Sequence, residues 1–246
     1  MFRAYCRLTY SMARRRFFVD AIQSGRAEIA GAEAHHLTRV LRVEPGQLFE
    51  ISDNGRVYLA EVKKARKELV SFIVREPIAV SDPAVRTTLL ASLIRFERFE
   101  LILEKATELG VERIIPVRAE RSEKGLEQAA LKRMPRWQRI VREASEQSRR
   151  ARLPEISAPV TTFEVDVPYR YVLDEAASAP LLSILSAERR AGDQVALLIG
   201  PEGGWTDRER EQFTAVWRSA SLGPQILRAE TAAIAALAVI NAAWSK

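Results

Sequence analysis

Val195-Ala196-Leu197-Leu198-Ile199 is an unbroken apolar run that stops at Gly200-Pro201-Glu202-Gly203-Gly204. A run with no polar alternation has no wet face, so it reads as a strand buried on both sides, as inside a parallel sheet. Thr206 and Glu209 follow at the Thr-x-x-Glu spacing of a capping box, which opens a helix. Buried strand, glycine loop and helix in that order place a ligand site at the carboxyl end of a parallel sheet. The chain is thereby directed to the α/β class, and its 246 residues leave room for one large domain or two small ones.

The loop's chemistry narrows the ligand. Glycines let the backbone approach a bound molecule closely and adopt positive φ. The Lys-Ser/Thr pair of a phosphate-cradling P-loop does not follow, and the Gly-x-Gly-x-x-Gly dinucleotide pattern is absent. The Glu202 carboxylate repels phosphate but suits a ribose hydroxyl or a cation. An adenosyl-type ligand is favoured over a polyphosphate, the alternative being a strained turn without a ligand. Further on, Leu222-Gly223-Pro224-Gln225-Ile226-Leu227-Arg228-Ala229-Glu230-Thr231-Ala232 repeats the order of turn, short apolar strand and helix start. Ala232 to Trp244, apolar nearly all round except Asn241, predicts a helix buried in a core or a subunit interface.

Charge points to a polyanion. Between Lys132 and Arg152, eight basic residues face only Glu143 and Glu146, a surplus equal to the net +6 of the whole chain. Seven of the eight are arginines, whose planar fork suits phosphate contact and base stacking. A clustered basic stretch is a nucleic-acid footprint, and a solvated helix face is the bland alternative. The single Cys6 and the pair His35-His36 offer neither a disulfide nor a zinc cluster, so no metal is expected. No apolar run reaches membrane-spanning length, and no apolar segment follows Arg14-Arg15-Arg16 as in a signal peptide; the cytoplasm is the expected compartment. His35 and His36 fit packing or RNA contact better than proton transfer, and Trp137 fits buried packing better than base stacking.

Residues 1–13 lack a pattern and read as an extension. From Arg16 to about Val80 the signals are β-rich: strands at Phe17–Val19, Gly46–Ser52, Val57–Val62 and Leu69–Val74, a hairpin turn at Asp53-Asn54-Gly55, and one helix at Glu33–Arg42. That set suits a small barrel. Ser81-Asp82-Pro83 is the expected linker, dividing residues 1–81 from residues 82–246. Beyond it, strands at Thr87–Leu93, Val111–Val117, Tyr171–Leu173 and Val195–Ile199 alternate with helices at Arg95–Leu109 and Leu126–Arg149, the latter expected to break at Pro135.

Gly200-Pro201-Glu202-Gly203-Gly204, with Leu222-Gly223-Pro224 and Leu227-Arg228-x-Glu230-Thr231-Ala232, resembles the SPOUT superfamily of methyltransferases. More closely, the chain is similar to the bacterial family that methylates the N3 atom of a uridine in small-subunit (16S) ribosomal RNA. The resemblance extends through Arg16-Phe17-Phe18-Val19, His35-His36-Leu37-Thr38-Arg39-Val40-Leu41-Arg42, Glu104-Lys105-Ala106-Thr107-Glu108-Leu109-Gly110, and from Trp137 through Glu146-Gln147 to Pro154-Glu155-Ile156. It implies a C-terminal trefoil-knotted parallel sheet with helices on both faces, an N-terminal PUA-like β-barrel that binds RNA, S-adenosyl-L-methionine as cofactor, and a homodimer acting on ribosomal RNA or the small ribosomal subunit. Cofactor contacts are then expected from Leu173 and Glu175, from Leu198, Ile199, Gly200, Pro201, Glu202, Gly203 and Gly204, and from Leu222, Ile226, Leu227, Thr231 and Ala232. RNA contacts are expected from Arg14, Arg16, Arg39 and Arg42, and from Arg133, Arg136, Arg149, Arg150 and Arg152. Arg228 is expected to position a phosphate or polarise the uracil carbonyls, and Glu230 to act as base or orienting group, its alternative being a helix cap. The chain departs from the family pattern at Gln225, where a second arginine is usual, and at Arg149, where a small residue commonly follows Glu-Gln-Ser. Other readings of the same features are a non-catalytic RNA-binding or ribosome-assembly module, and a SPOUT methyltransferase of another RNA.

Overall fold

The computed structural model describes residues 15–177 and 179–245. The extension 1–13, Cys6 and the expected RNA contact Arg14 lie outside the described residues. The chain divides into two compact units, one of residues up to Ser81 together with Ser145–Arg152, the other of Asp82–Ala144 and the residues from Leu153 on.

The first unit contains β1 (Arg16–Phe18), β2 (Arg26–Ala30), α1 (Gly31–Arg39), β3 (Leu48–Ser52), β4 (Val57–Arg66) and β5 (Leu69–Ile78). They form one sheet in the order β1-β3-β4-β5-β2, with β1 parallel to β3 and the remaining pairs antiparallel. Phe17, Ile29, Leu37, Ile51, Val62 and Phe72 meet in its core. The Asp53-Asn54-Gly55 turn joins β3 to β4, with Asn54 at φ 66. Strands β4 and β5 run further than expected, because each extends the other's ladder: Ala65 and Arg66 pair with Val70 and Leu69, and Glu76, Pro77 and Ile78 pair with Leu59, Tyr58 and Val57. Helix α1 stops short of the expected Arg42, which adopts a left-handed φ of 51. His35 and His36 are exposed on α1.

The second unit contains β6 (Val85–Ser92), α2 (Phe96–Glu108), β7 (Arg113–Val117), α3 (Leu126–Gln147, whose last residues count with the first unit), β8 (Glu155–Ile156), β9 (Tyr169–Leu173), α4 (Leu181–Ile184), β10 (Asp193–Ile199), α5 (Asp207–Thr214), β11 (Arg218–Ala220) and α6 (Ala229–Trp244). Its six strands are all parallel, in the order β11-β9-β10-β6-β7-β8. Because β10 pairs with β6 on one side and β9 on the other, every residue of Val195–Ile199 is enclosed. Leu197 and Ile199 face a core shared with α2, α3 and α6, whereas Ala196 and Leu198 face one shared with Trp205, Phe213 and Trp217. Layers on both faces are what turn an alternating strand into a continuous apolar one.

Two expectations are corrected. Helix α3 passes through Pro135 without a break. Burial of Ala130, Trp137 and Val141 on either side of the proline outweighs its penalty of about 3 kcal/mol. Trp137 is fully buried, its ring 4.8 Å from Phe99 and 5.9 Å from Phe96, which makes it a packing residue. The segment Gln225-Ile226-Leu227 forms no strand; Ile226 is 91% exposed, because this stretch is a loop bordering a cavity instead of a rung of the sheet.

In the first unit, Ser145–Arg152 is anchored by a buried charge. Glu50 of β3 receives Arg16 through Nε at 3.0 Å and Nη2 at 2.7 Å, and also pairs with Arg149. Arg16 reaches the Arg149 carbonyl as well, and the Ser52 hydroxyl donates to Ala151 O at 2.6 Å. Arg149 sits at φ 56, with its N–H on Glu146 O at 3.4 Å and the Arg150 N–H on Ser145 O at 2.9 Å. This is a Schellman ending in which arginine holds the position usually given to glycine, at a cost of about 1–2 kcal/mol. The Glu50 pair offsets that cost, which explains how an arginine is tolerated where a small residue is usual. Removing Glu50 would leave the Arg16 guanidinium buried and unpaired. Glu50→Ala is therefore expected to destabilise the first unit by about 3 kcal/mol in denaturant unfolding.

Candidate active site

The carboxyl ends of β9, β10 and β11 open into a cavity of about 600 Å³, within the range of small-molecule sites. Three segments enclose it: Leu173-Asp174-Glu175 after β9, Ile199 to Trp205 after β10, and Ala220 to Ala229 between β11 and α6. Ala232 of α6 and Arg98 of α2 complete the lining.

The glycine loop is held from behind. Thr206 caps α5 by accepting the Glu209 N–H at 3.2 Å, while the Glu209 carboxylate accepts the Thr206 N–H at 2.9 Å and the Glu120 N–H at 2.8 Å. Arg121 donates to Gly203 O at 2.8 Å. The Trp205 indole, buried between Phe163 and Phe213, donates to Leu173 O at 2.9 Å. Two of the glycines leave little room for a side chain. A Cβ at Gly200 would stand 3.0 Å from the Trp205 ring. One at Gly204, which lies at φ +68, would come 2.5 Å from Glu175 Oε1.

Arg210 of α5 ties the β9 loop to the glycine loop. It donates to both Asp174 oxygens at 3.0 Å, to Glu175 at 3.2 Å and to Trp205 O at 3.0 Å. Burial pushes the Asp174 carboxyl up, but the Arg210 guanidinium and the Ala176 N–H together draw it below the usual carboxylate value. Arg210 is correspondingly held more firmly protonated, chiefly by its bond to Asp174. On the opposite wall, Arg98 donates to Glu202 and stands 3.8 Å from Glu230 Oε1. Glu230 is 8% exposed, and its Oε2 is buried without a hydrogen-bond partner among the described residues. Among the lining side chains Asp174, Glu175 and Glu202 outnumber Arg98 and Arg228 by one negative charge, so the walls favour a cation.

Of the expected cofactor contacts, Leu173, Glu175, Ile199, Gly200 to Gly204, Leu222, Ile226, Leu227 and Ala232 line the cavity together. Leu198 and Thr231 are not brought to it. Leu198 is turned by the strand period into the opposite core, and Thr231 is exposed on α6. Arg228 lines the cavity and Glu230 lies behind its wall. Sequence reasoning missed Arg98, Asp174 and Trp205. Asp174 carried a signal, a carboxylate beside Glu175 at a strand end, whereas Arg98 reaches the cavity only through the packing of α2 against α6.

The basic residues separate by setting. In the first unit Arg16 is buried on Glu50, so it offers a phosphate no free face, and Arg149 shares the same carboxylate. Arg39, Arg42 and Arg152 are exposed, and Arg150 donates to Arg152 O at 3.1 Å. In the second unit Arg133 and Arg136 bracket Glu100 at 3.0 Å and 2.7 Å, and Arg133 lies 4.5 Å over the Phe96 ring. The Arg136 hydrogen bond, helped by Arg133 and opposed by burial, holds the Glu100 carboxyl below its usual value. Part of the basic surplus is therefore neutralised locally. Among the described residues no group of three or more His, Cys, Asp and Glu is placed to hold a metal, and no helix is long and apolar enough to cross a membrane.

A lowered carboxyl stabilises the fold above its unfolded value, and that stability is lost as pH falls through the folded one. Asp174→Asn is expected to cost about 2 kcal/mol at neutral pH, with variant and wild type converging in acid below the folded value. Urea unfolding at both pH values checks this.

Comparison with known proteins gives a consistent result. An RNA methyltransferase domain family matches residues 81–241, and an RNA methyltransferase PUA domain family matches residues 29–75. A protein of Synechocystis named ribosomal RNA small subunit methyltransferase E is 35% identical, covering 86% of this chain and 71% of that protein. Its Bacillus subtilis namesake is 31% identical, covering 87% and 88%. A crystal structure of the Neisseria gonorrhoeae enzyme of that name, bound to S-adenosyl methionine, superposes with a TM-score of 0.83 at 28% identity, covering 94% of this chain and 98% of that one. The parallel sheet with helices on both faces is accordingly of the SPOUT type, and the first unit is PUA-like. With glycine loop, cavity and both domain matches in agreement, this chain belongs to the ribosomal RNA small subunit methyltransferase E family of RNA methyltransferases.

Proposed function

We propose that this chain methylates the N3 atom of a uridine in small-subunit ribosomal RNA, with S-adenosyl-L-methionine as the methyl donor. The observation that carries the reading is the cavity at the end of β10, built on a glycine loop in which Gly200 packs on Trp205 and Gly204 takes a positive φ, and lined by an excess of carboxylates. The residues fit such a donor. Glu175 and Glu202 suit ribose hydroxyls, Leu173, Ile199, Leu222, Leu227 and Ala232 offer apolar sides to an adenine, and the negative surplus suits a cation. When bound, the cofactor supplies a methyl group already activated on a sulfonium.

The chain's remaining tasks are orientation and removal of one proton. Uridine N3–H lies on the pairing edge, so the base must be unpaired to enter the cavity. Arg228 holds a phosphate or polarises a uracil carbonyl. Glu230 accepts the proton or orients the group that acts on the base. Arg39, Arg42 and Arg152 of the first unit, exposed and without a carboxylate partner among the described residues, give RNA phosphate contacts, with the salt dependence of counterion release. The chain acts as a homodimer in the cytoplasm, with a trefoil knot in the second unit; the small exposed residues Thr231, Ala238 and Ala242 on apolar α6 suit a second copy.

Calorimetry and methyl transfer test the reading. Wild type is expected to bind S-adenosyl-L-methionine, and Gly204→Val to abolish that binding. With small ribosomal subunits, wild type should transfer one methyl group, which digestion and mass spectrometry locate on uridine N3. Arg228→Ala and Glu230→Gln are each expected to lower kcat by about 10²-fold. Cofactor binding without transfer to any ribosomal RNA would point instead to an RNA-binding module.

A further inference from the structure

Arg98 is the cavity-wall cation that α2 contributes, from outside the three segments that enclose the cavity. It lies in the first turn of α2 and lines the cavity with a side chain 30% exposed. Its Nη1 engages Glu202 from the glycine loop, and its Nε faces Glu230 Oε1 from the start of α6 at 3.8 Å. Carboxylates from two separate elements thus converge on one guanidinium. That geometry engages only part of the five-donor fork. An exposed pair of this kind would hold its arginine loosely. Glu230, however, is buried and has one oxygen without a partner, a setting in which a carboxylate needs a cation beside it. Arg98 is therefore fixed in place where it lines the cavity, and neither carboxylate takes up its Nη2.

Resting on the functional reading above, we infer that Arg98 is a further catalytic residue, its guanidinium donating to a carbonyl oxygen of the target uracil while Glu202 and Glu230 hold it. In the transfer, the N3–carbon bond forms as the carbon–sulfur bond breaks, and the N3 proton leaves to water. The pair of electrons left on N3 spreads onto the ring carbonyl oxygens before the methyl group arrives. A guanidinium already fixed beside one of those oxygens stabilises that charge without reorganising. Glu230 then serves as the positioning residue that acts through Arg98, which accounts for its place behind the wall.

The test is single-turnover methyl transfer to small ribosomal subunits at saturating cofactor, with thermal unfolding as the control for folding. Arg98→Gln is expected to lower the rate by about 10²–10³-fold, with the KM for subunits changed only a few-fold. Arg98→Lys keeps the charge but loses the fork, and should lose about tenfold. Because Glu230 works through Arg98, the double variant Arg98→Gln/Glu230→Gln should be no slower than Arg98→Gln alone. If Arg98→Gln does not fold, Arg98→Lys combined with Glu230→Gln carries the same cycle. An active wild type with an undiminished Arg98→Gln rate, or with losses that multiply in the double variant, overturns the assignment. A wild type that transfers no methyl group overturns the functional reading and this assignment with it.

Discussion

The position of β10 between two parallel neighbours is the constraint on which the second unit depends. Pairing with β6 and β9 flanks Val195–Leu198 on both edges, and core layers cover both faces. Such a strand can present function only at its end. The chain therefore leaves the sheet at Gly200 into a cavity whose other walls come from the ends of β9 and β11. Parallel strands put all three ends on the same side, so one sheet assembles a binding site from segments far apart in sequence.

Around that end, a few polar contacts convert loops into fixed walls. Trp205 and Arg210 bind the loop after β9 to the glycine loop, and the Glu209 carboxylate gathers the α5 cap and the residue Glu120. Arg98 does the same across the cavity by joining the glycine loop to α6. The loops are ordered by groups that are themselves half-buried and charge-compensated, so the cavity needs little rearrangement to receive a ligand. In the first unit Glu50 plays the corresponding part for Ser145–Arg152, where one buried carboxylate compensates two arginines.

Most of the elements were legible because their signals are local. The apolar run of β10, the Thr206–Glu209 box, the Asp53-Asn54-Gly55 turn and the stripe of α2 each state their structure within a few residues. Where reading failed, a distant partner had decided the outcome. Pro135 stays helical because neighbouring residues are buried against α2, and Gln225–Leu227 is a loop because β11 already forms the sheet edge. Leu198, expected at the site from the resemblance, has its side chain turned by the strand period into the opposite core.

The sequence by itself determined where a ligand can be approached and what sign of charge meets it. Glycine's missing side chain and a carboxylate's charge are properties of single residues, and the apolar run that precedes them admits one kind of strand. Which charges are spent inside the protein was decided by tertiary structure. Arg16, Arg133 and Arg136 read as basic surface in the chain, yet each is compensated by a carboxylate at least 33 residues away. Arg98 reads as an ordinary helix residue and becomes part of the cavity. The reason is the range of the interaction: periodicity reports a residue's own face, whereas an ion pair requires two side chains that only folding brings within reach.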